Sequence, residues 1–497
     1  MRSSDFVAVA AERWPERTAL MFDDRRWTFR EFEASSARQA AALSRRGVKA
    51  GDLVGLLMPN RPEWLFSFYA LSRIGAVAVP INPAYTTAEV TSIVDVVGLR
   101  ALVLDPRLEA VVDAERIELV GTEVLVVGAP DPLERAPGDE APGAGGSDSE
   151  PAVIFFSSGS TGNPKGIVHS HRNLGMIAEA VRTNWGITPE DSLLVAMPLA
   201  FVYASVVECL TAISAGATIV LHDRLRPEEA LARIAAGEIT VAMGVPSMYR
   251  MLLEAAGSAP PRGRLRLCTT SGDTVPAALD REFERLFGCP LFDLYGLTEV
   301  PHIVAHTPGP DVRSRPLSCG RPLPGIAAKV ADDRGQEVAP GELGELVVQV
   351  PWAFLHYYRN PEATEAVVRG GWFWTGDLVR RDADGYIFMV ERKKELIKRS
   401  GFNVLPGEVE EVIHRVPGVA EVAVVGVPDE LHGQRVKAFV VLDTGRVPSR
   451  DEILAACRER LAKYKIPEDL EFIRELPKGP TGKIKKKLLR EGGASAR

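Results

Sequence analysis

Short apolar runs alternate with amphipathic stretches through the first part of the chain. Leu53 to Met58, Val77 to Pro80 and Ala101 to Leu104 are compact and rich in β-branched or aliphatic residues. Between the first two, Trp64 to Arg73 repeats its apolar positions with helical spacing. That alternation predicts parallel α/β units. A second series runs from Ala152 to about Tyr295, with strands expected at Thr218 to Leu221, Val241 to Val245 and Arg266 to Thr269, and repeats the doubly wound pattern. Residues 130–150, rich in Pro, Gly, Asp, Glu and Ser, offer little to bury and read as a flexible connection separating two lobes.

From Gly320 the texture changes to turns, Gly320-Arg321-Pro322-Leu323-Pro324-Gly325, and short strands at Ala328 to Val330 and Glu345 to Val350, which predict a small barrel or sheet. A last strand at Gly385 to Val390 leads into a helix at Pro406 to Arg415, strands at Val419 to Val427 and Val436 to Leu442, and a helix at Arg450 to Leu461. The expected fold class is α/β: a large N-terminal domain of two doubly wound lobes plus the small barrel, followed by a small α+β C-terminal domain.

Bulk properties narrow the function classes. A chain of 497 residues exceeds one hydrophobic core, and 46% hydrophobic with 25% charged residues is ordinary for a soluble globular protein. A net charge of -7 without a broad basic run argues against a nucleic-acid partner. The basic cluster Lys485, Lys486, Lys487 and Arg490 reads as a solvated chain end, with Lys483 set apart below. The five cysteines are scattered without CxxC spacing, so reduced thiols and a cytoplasmic location are expected. Between Ser192 and Leu221 the only charge is Glu208, but Pro198 and Gly216 interrupt the apolar stretch. A buried strand, loop and helix is expected there rather than a membrane span.

One segment carries phosphate chemistry. Ser157-Ser158-Gly159-Ser160-Thr161-Gly162-Asn163-Pro164-Lys165-Gly166 comes directly after an apolar strand. Its glycines let backbone N–H groups approach a polyphosphate, its hydroxyls add donors, and Lys165 adds a charge. The spacing differs from that of a Walker loop, which ends in Gly-Lys-Ser/Thr after four intervening residues, so a different nucleotide fold is implied.

Four further segments occur in order along the chain: Tyr295-Gly296-Leu297-Thr298-Glu299, Gly371-Trp372-Phe373-Trp374-Thr375-Gly376-Asp377-Leu378, Glu391-Arg392-Lys393-Lys394-Glu395 through Gly401-Phe402, and Pro480-Thr481-Gly482-Lys483-Ile484. With Trp27-Thr28-Phe29-Arg30-Glu31-Phe32, Gly51-Asp52 and Asn60-Arg61-Pro62-Glu63 near the start, they resemble the adenylate-forming superfamily of acyl-CoA synthetases, luciferases and adenylation domains. The resemblance spans nearly the whole chain. It implies ATP-dependent activation of a carboxylic acid to acyl-AMP, then transfer to the thiol of CoA, with domains at 1–390 and 391–497 and a hinge at Glu391.

It also implies residue roles. Ser157, Ser158, Gly159, Ser160, Thr161, Gly162 and Lys165 would hold the β- and γ-phosphates, Thr298 the α-phosphate, and Glu299 the Mg²⁺. Gly272, Asp273, Asp293, Leu294 and Tyr295 would enclose adenine. Asp377 would accept the ribose hydroxyls with help from Arg392. Lys483 would supply the adenylation charge, and rotation at Glu391 would replace it with the Gly401 loop along a pantetheine tunnel. Phe201, Val202, Tyr203, Val207, Gly244 and Val300 would line an apolar acyl pocket, suiting an aromatic or aliphatic monocarboxylate. Val202 stands where amino-acid-activating relatives carry an aspartate, which disfavours an amino-acid substrate. Rival readings are a ligase that loads an acyl carrier protein and a non-catalytic nucleotide-binding scaffold; a homodimer is compatible with all three.

Overall fold

The structure is a computed structural model. It describes residues 1–119, 121–127, 146–157, 165–257, 263–273, 275–308, 315, 317–443, 445–478 and 484–491, with the side chains of all but 114, 118, 119 and 157. The chain divides into two compact units: Met1–Ala327 with Gln349–Phe373, and Ala328–Val348 with Trp374–Arg497.

Two sheets organise the first unit. One has seven strands in the order His356–Tyr357, Lys165–Ser170, Pro151–Ser157, Val77–Ile81, Leu53–Leu57, Ala101–Leu104, Glu123–Val126. The other has nine, in the order Arg321–Pro322, Val304–Ala305, Leu291–Tyr295, Leu267–Thr270, Val241–Gly244, Ser192–Val195, Thr218–Leu221, Thr18–Phe22, Arg25–Thr28. Their middle strands run parallel, as the apolar runs predicted. Side chains from both sheets, among them Leu56, Ala78, Leu193 and Met243, share one core with Trp64 and Trp185 from helices Pro62–Ile74 and His171–Trp185.

The partition between lobes differs from expectation. The hairpin from Pro151 to Ser170 completes the first sheet instead of opening the second, and the earliest strands, Thr18–Phe22 and Arg25–Thr28, form an edge of the second. Residues 130–150 therefore do not separate the lobes in sequence. Strand period reports which face is buried, whereas strand partners are set by long-range pairing.

Three of the N-terminal motifs are structural devices. Thr28 and Glu31 form a capping box on helix Phe29–Arg45. Gly51 takes φ +84° beside Asp52, whose carboxylate accepts from the Lys49 N–H at 2.8 Å. Pro62 opens helix Pro62–Ile74.

The barrel or sheet expected after Gly320 is a five-stranded sheet of Ala327–Ala331, Leu343–Gln349, Trp372–Arg381, Val368–Arg369 and Ile387–Arg392, without strand pairing among the described residues that closes it. The α+β module comes next: Phe402–Val404, Ile397–Arg399, Gly433–Leu442 and Val419–Asp429 form a sheet, and Asp469–Phe472 joins it parallel to Gly433–Leu442. Helices Pro406–His414 and Arg450–Arg460 bury Val409, Ile413, Ile453 and Cys457 against it. By packing, residues 328–348 and 374–390 group with the α+β module, so the compact division falls before residue 391.

Candidate active site

The phosphate-loop candidate connects two antiparallel strands, with Ser157 opposite Lys165. A Walker loop, by contrast, runs from a strand into a helix. Ser158, Gly159, Ser160, Thr161 and Gly162 lie outside the described residues, as does Lys483.

Next to that hairpin, strand His356–Tyr357 pairs antiparallel with Lys165–Ser170, Tyr357 opposite Ile167. Lys165 and Ile167 point to the same face, so the Tyr357 ring lies diagonally across from Lys165. The Lys165 ammonium stands 5.0 Å from the ring centroid. At the far end of the ring the Tyr357 hydroxyl donates to Glu299 Oε1 over 2.6 Å. Burial and the neighbouring Glu299 both push the Tyr357 phenol far above its ordinary range, which keeps it a donor. Three residues far apart in sequence thus place a cation over the face of one aromatic ring and a carboxylate at its hydroxyl.

The turn bearing Thr298 and Glu299 is held from several sides. Leu297 and Val300 exchange backbone hydrogen bonds of 3.2 and 3.1 Å, and the Phe354 N–H donates to the Glu299 carbonyl at 2.8 Å. His169 Nε2 donates to the Thr298 carbonyl over 2.7 Å. Burial pushes the His169 ring down to about 4, so it is neutral at physiological pH, and the carbonyl partner requires the proton on Nε2. Gly296 precedes the turn where a Cβ would collide with the His302 N–H.

Among the adenine candidates, Leu294, Asp293 and Tyr295 are buried on strand Leu291–Tyr295, and Asp273 is exposed. Burial raises the Asp293 carboxyl well above the carboxylate range. Gly272 takes φ +86°, a backbone state that L side chains rarely adopt, next to Ser271, whose N–H donates to the Gly244 carbonyl at 3.0 Å. At Gly244 a Cβ would overlap the Met248 side chain.

The acyl-pocket candidates separate by burial. Phe201 and Tyr203 are half-buried, whereas Val202, Val207, Gly244 and Val300 are buried, and Val202 and Val207 pack in the main core. The Tyr203 hydroxyl lies 3.4 Å from Thr269 Oγ1. Tyr203–Leu210 is a π-helix, which side-chain periodicity did not predict.

In the second unit, Asp377 and Arg392 are cross-strand partners, with Arg392 Nε 3.3 Å from Asp377 Oδ1. Asp377 is buried and Arg392 half-exposed. The pairing moves from Leu378 opposite Glu391 to Val379 opposite Met389, leaving Val390 as a bulge beside Glu391. Glu391 accepts from the Arg392 N–H at 2.9 Å, and burial raises its carboxyl against the opposing pull of Lys486. Ser400 and Gly401, at φ +49° and +81°, make the two-residue turn between Ile397–Arg399 and Phe402–Val404. A Cβ at Gly401 would meet nothing within 4 Å, so the turn, rather than crowding within the chain, calls for glycine there.

Sequence reasoning missed Tyr357 and His169, which lie outside any quoted motif, and treated Asn60 only as part of one. Asn60 is buried and bridges three backbone groups: Nδ2 donates to the Met197 and His222 carbonyls at 2.9 and 3.0 Å, and Oδ1 accepts from the Leu199 N–H at 2.8 Å. It ties down the start of the segment that carries Phe201. The Asn60-Arg61-Pro62-Glu63 motif was the available signal.

Residues 7–358 match the AMP-binding enzyme family, and residues 408–483 match the AMP-binding enzyme C-terminal domain. The chain belongs to the AMP-binding enzyme family. It is 33% identical to the indoleacetate–CoA ligase of Aromatoleum aromaticum over 99% of this chain and 98% of that one. The ATP-bound MatB structure from Rhodopseudomonas palustris superposes with a TM-score of 0.91 at 30% identity, covering 100% and 99% of the two chains. The o-succinylbenzoate CoA synthetase of Bacillus subtilis, solved with ATP and magnesium, gives a TM-score of 0.87 at 31% identity over 98% of each chain. This AMP-binding enzyme is accordingly an AMP-forming acyl-CoA synthetase, and ATP, Mg²⁺ and CoA are properties of its family.

No group of three or more His, Cys, Asp or Glu suited to a metal ion occurs among the described residues. Mg²⁺ is usually held by one or two carboxylates together with substrate phosphates. Glu299 suits the part, since its bond to Tyr357 is made through Oε1 alone. No helix among the described residues is long and apolar enough to cross a membrane.

Proposed function

We propose that this enzyme activates an aromatic or aliphatic monocarboxylate and passes it to CoA, using the residues read from the sequence. The observation that carries the reading is the Lys165–Tyr357–Glu299 arrangement, which sets opposite charges beside the phosphate hairpin. A carboxylate oxygen attacks the α-phosphorus of ATP as the bond to pyrophosphate breaks. The nucleophile is already ionised at neutral pH, so the residues need to stabilise charge rather than remove a proton. Lys165 and the hairpin tip grip the β- and γ-phosphates, Thr298 contacts the α-phosphate, and Glu299 binds Mg²⁺, which would offset phosphate charge when present. Leu294 and Tyr295 wall the adenine slot with Gly272, Asp273 and Asp293, and Asp377 with Arg392 binds the ribose.

The domain boundary at 391 and the hinge at Glu391 belong to this proposal. The Val390 bulge supports it, since the ladder is already interrupted there. Rotation would exchange Lys483 for the Ser400–Gly401 turn. The apolar character of Val202, Val207 and Val300 favours a monocarboxylate, as does the relative named for indoleacetate, whereas the relative named for o-succinylbenzoate is named for an aromatic dicarboxylate. Pyrophosphate release across a panel of aromatic, aliphatic and dicarboxylic acids tests the substrate class. Acyl transfer to free CoA against a carrier protein tests the acceptor. Preference for a dicarboxylate, or transfer to carrier protein alone, would overturn the corresponding part.

A further inference from the structure

Glu208 is fully buried, and neither of its carboxyl oxygens has a hydrogen-bond partner among the described residues. Desolvation alone raises its pKa well above the carboxylate range, so the group is a neutral acid able both to donate and to accept. A polar group buried without a partner is costly and is retained where something else supplies the partner.

Helix geometry indicates what that is. In Tyr203–Leu210 the Thr211 N–H bonds to the Val206 carbonyl five residues back, the π pattern. In an α-helix the residues three and four along, Val206 and Val207, would lie next to Tyr203, and Glu208 would not. The wider π turn brings the residue five along, Glu208, to the same side. On that side the Tyr203 hydroxyl lies 3.4 Å from Thr269 Oγ1. The Tyr249 hydroxyl is committed to the Ala242 and Thr269 carbonyls at 2.8 and 2.6 Å. π-turns interrupt regular helix bonding and concentrate at functional sites.

We propose that Glu208 is the polar recognition group of the acyl pocket, and that the preferred acid carries a neutral hydroxyl or carbonyl on its tail that pairs with the Glu208 carboxyl. The inference rests on the reading that the segment from Phe201 to Val207 receives the acyl group. A second carboxylate on the substrate would meet a buried acid with no cation, and an ammonium would require Glu208 to ionise where burial opposes it.

The test measures pyrophosphate release for matched acids that differ only by a tail hydroxyl, such as cinnamate with 4-hydroxycinnamate and hexanoate with 6-hydroxyhexanoate. The expected kcat/KM favours the hydroxylated member of at least one pair by roughly 10²-fold or more, since sites built to bond a hydroxyl reject analogues lacking it. Glu208→Leu should bring that ratio to about one, and Glu208→Gln should retain part of it. Glu208→Met, close in volume, serves if the leucine variant does not fold. Turnover with pair ratios unchanged by substitution would overturn this inference alone, as would a preference for amine-bearing acids. Failure of the unmodified enzyme to turn over any acid would overturn the acid-activation reading and this one with it.

Discussion

The Tyr357 hydroxyl donates to Glu299 Oε1 over 2.6 Å, with the Lys165 ammonium 5.0 Å from the centre of the same ring. A single tyrosine therefore fixes the carboxylate and packs the cation, although neither motif containing those groups includes it. Removing the hydroxyl in Tyr357→Phe deletes a hydrogen bond to a charged group, a loss of roughly 1.5–3 kcal/mol. Acyl-AMP formation should slow by about 10- to 100-fold, with a higher Mg²⁺ concentration needed for half-maximal rate. A magnesium titration of pyrophosphate release checks it, and an unchanged rate would count against the role given to Glu299.

His169 links pH to stability. Its folded-state pKa of about 4 lies below the ordinary 6.5, so the unfolded chain takes up a proton that the folded chain refuses. Its stabilising contribution is therefore intact above pH 6.5 and is lost as pH falls toward 4, at roughly 1.4 kcal/mol per pH unit. His171 and His302, pushed down to about 3, add to the total slope. The measurement is thus a difference: urea denaturation of His169→Gln between pH 7 and pH 4 should show a slope flatter by one proton.

Lys483 should serve only the first half-reaction. Lys483→Ala is expected to slow acyl-AMP formation by on the order of 10²-fold, as loss of an aimed charge at a developing anion does. CoA attack on preformed acyl-AMP should survive. Equal loss in single-turnover assays of both steps would refute the division of labour.

Glu391→Pro should separate the steps in the opposite sense. Proline fixes φ next to the Val390 bulge and stiffens the proposed hinge. Acyl-AMP should still form while thioester formation stalls, and a thermal melt close to that of the unmodified protein would show that the strand tolerates the change. Unchanged overall turnover would argue against a hinge at this residue.

Much of this was written in local sequence. Runs such as Ala101–Leu104 and Thr218–Leu221 appear as strands with the bounds read from their apolar pattern, because a fully buried strand must be apolar along its whole length. The helix at Pro406–His414 likewise follows from a 3.6-residue period that opens on proline. The motifs identified the family, since loops that handle phosphate need particular residues at particular spacing.

Partnership was decided by tertiary structure. Nothing near Thr18–Phe22 in sequence indicates that it pairs with Thr218–Leu221, and nothing near Pro151 places that hairpin in the first sheet. For the same reason Tyr357 and His169 escaped notice: each is an ordinary residue until long-range strand pairing carries it beside Glu299 or Thr298. Glu208 was legible as a lone charge in an apolar stretch, but its face depends on the π winding, which side-chain periodicity does not encode. Sequence fixes what each segment must bury or expose. Which groups then meet is set by the pairing that satisfies all the segments together, a property of the whole chain.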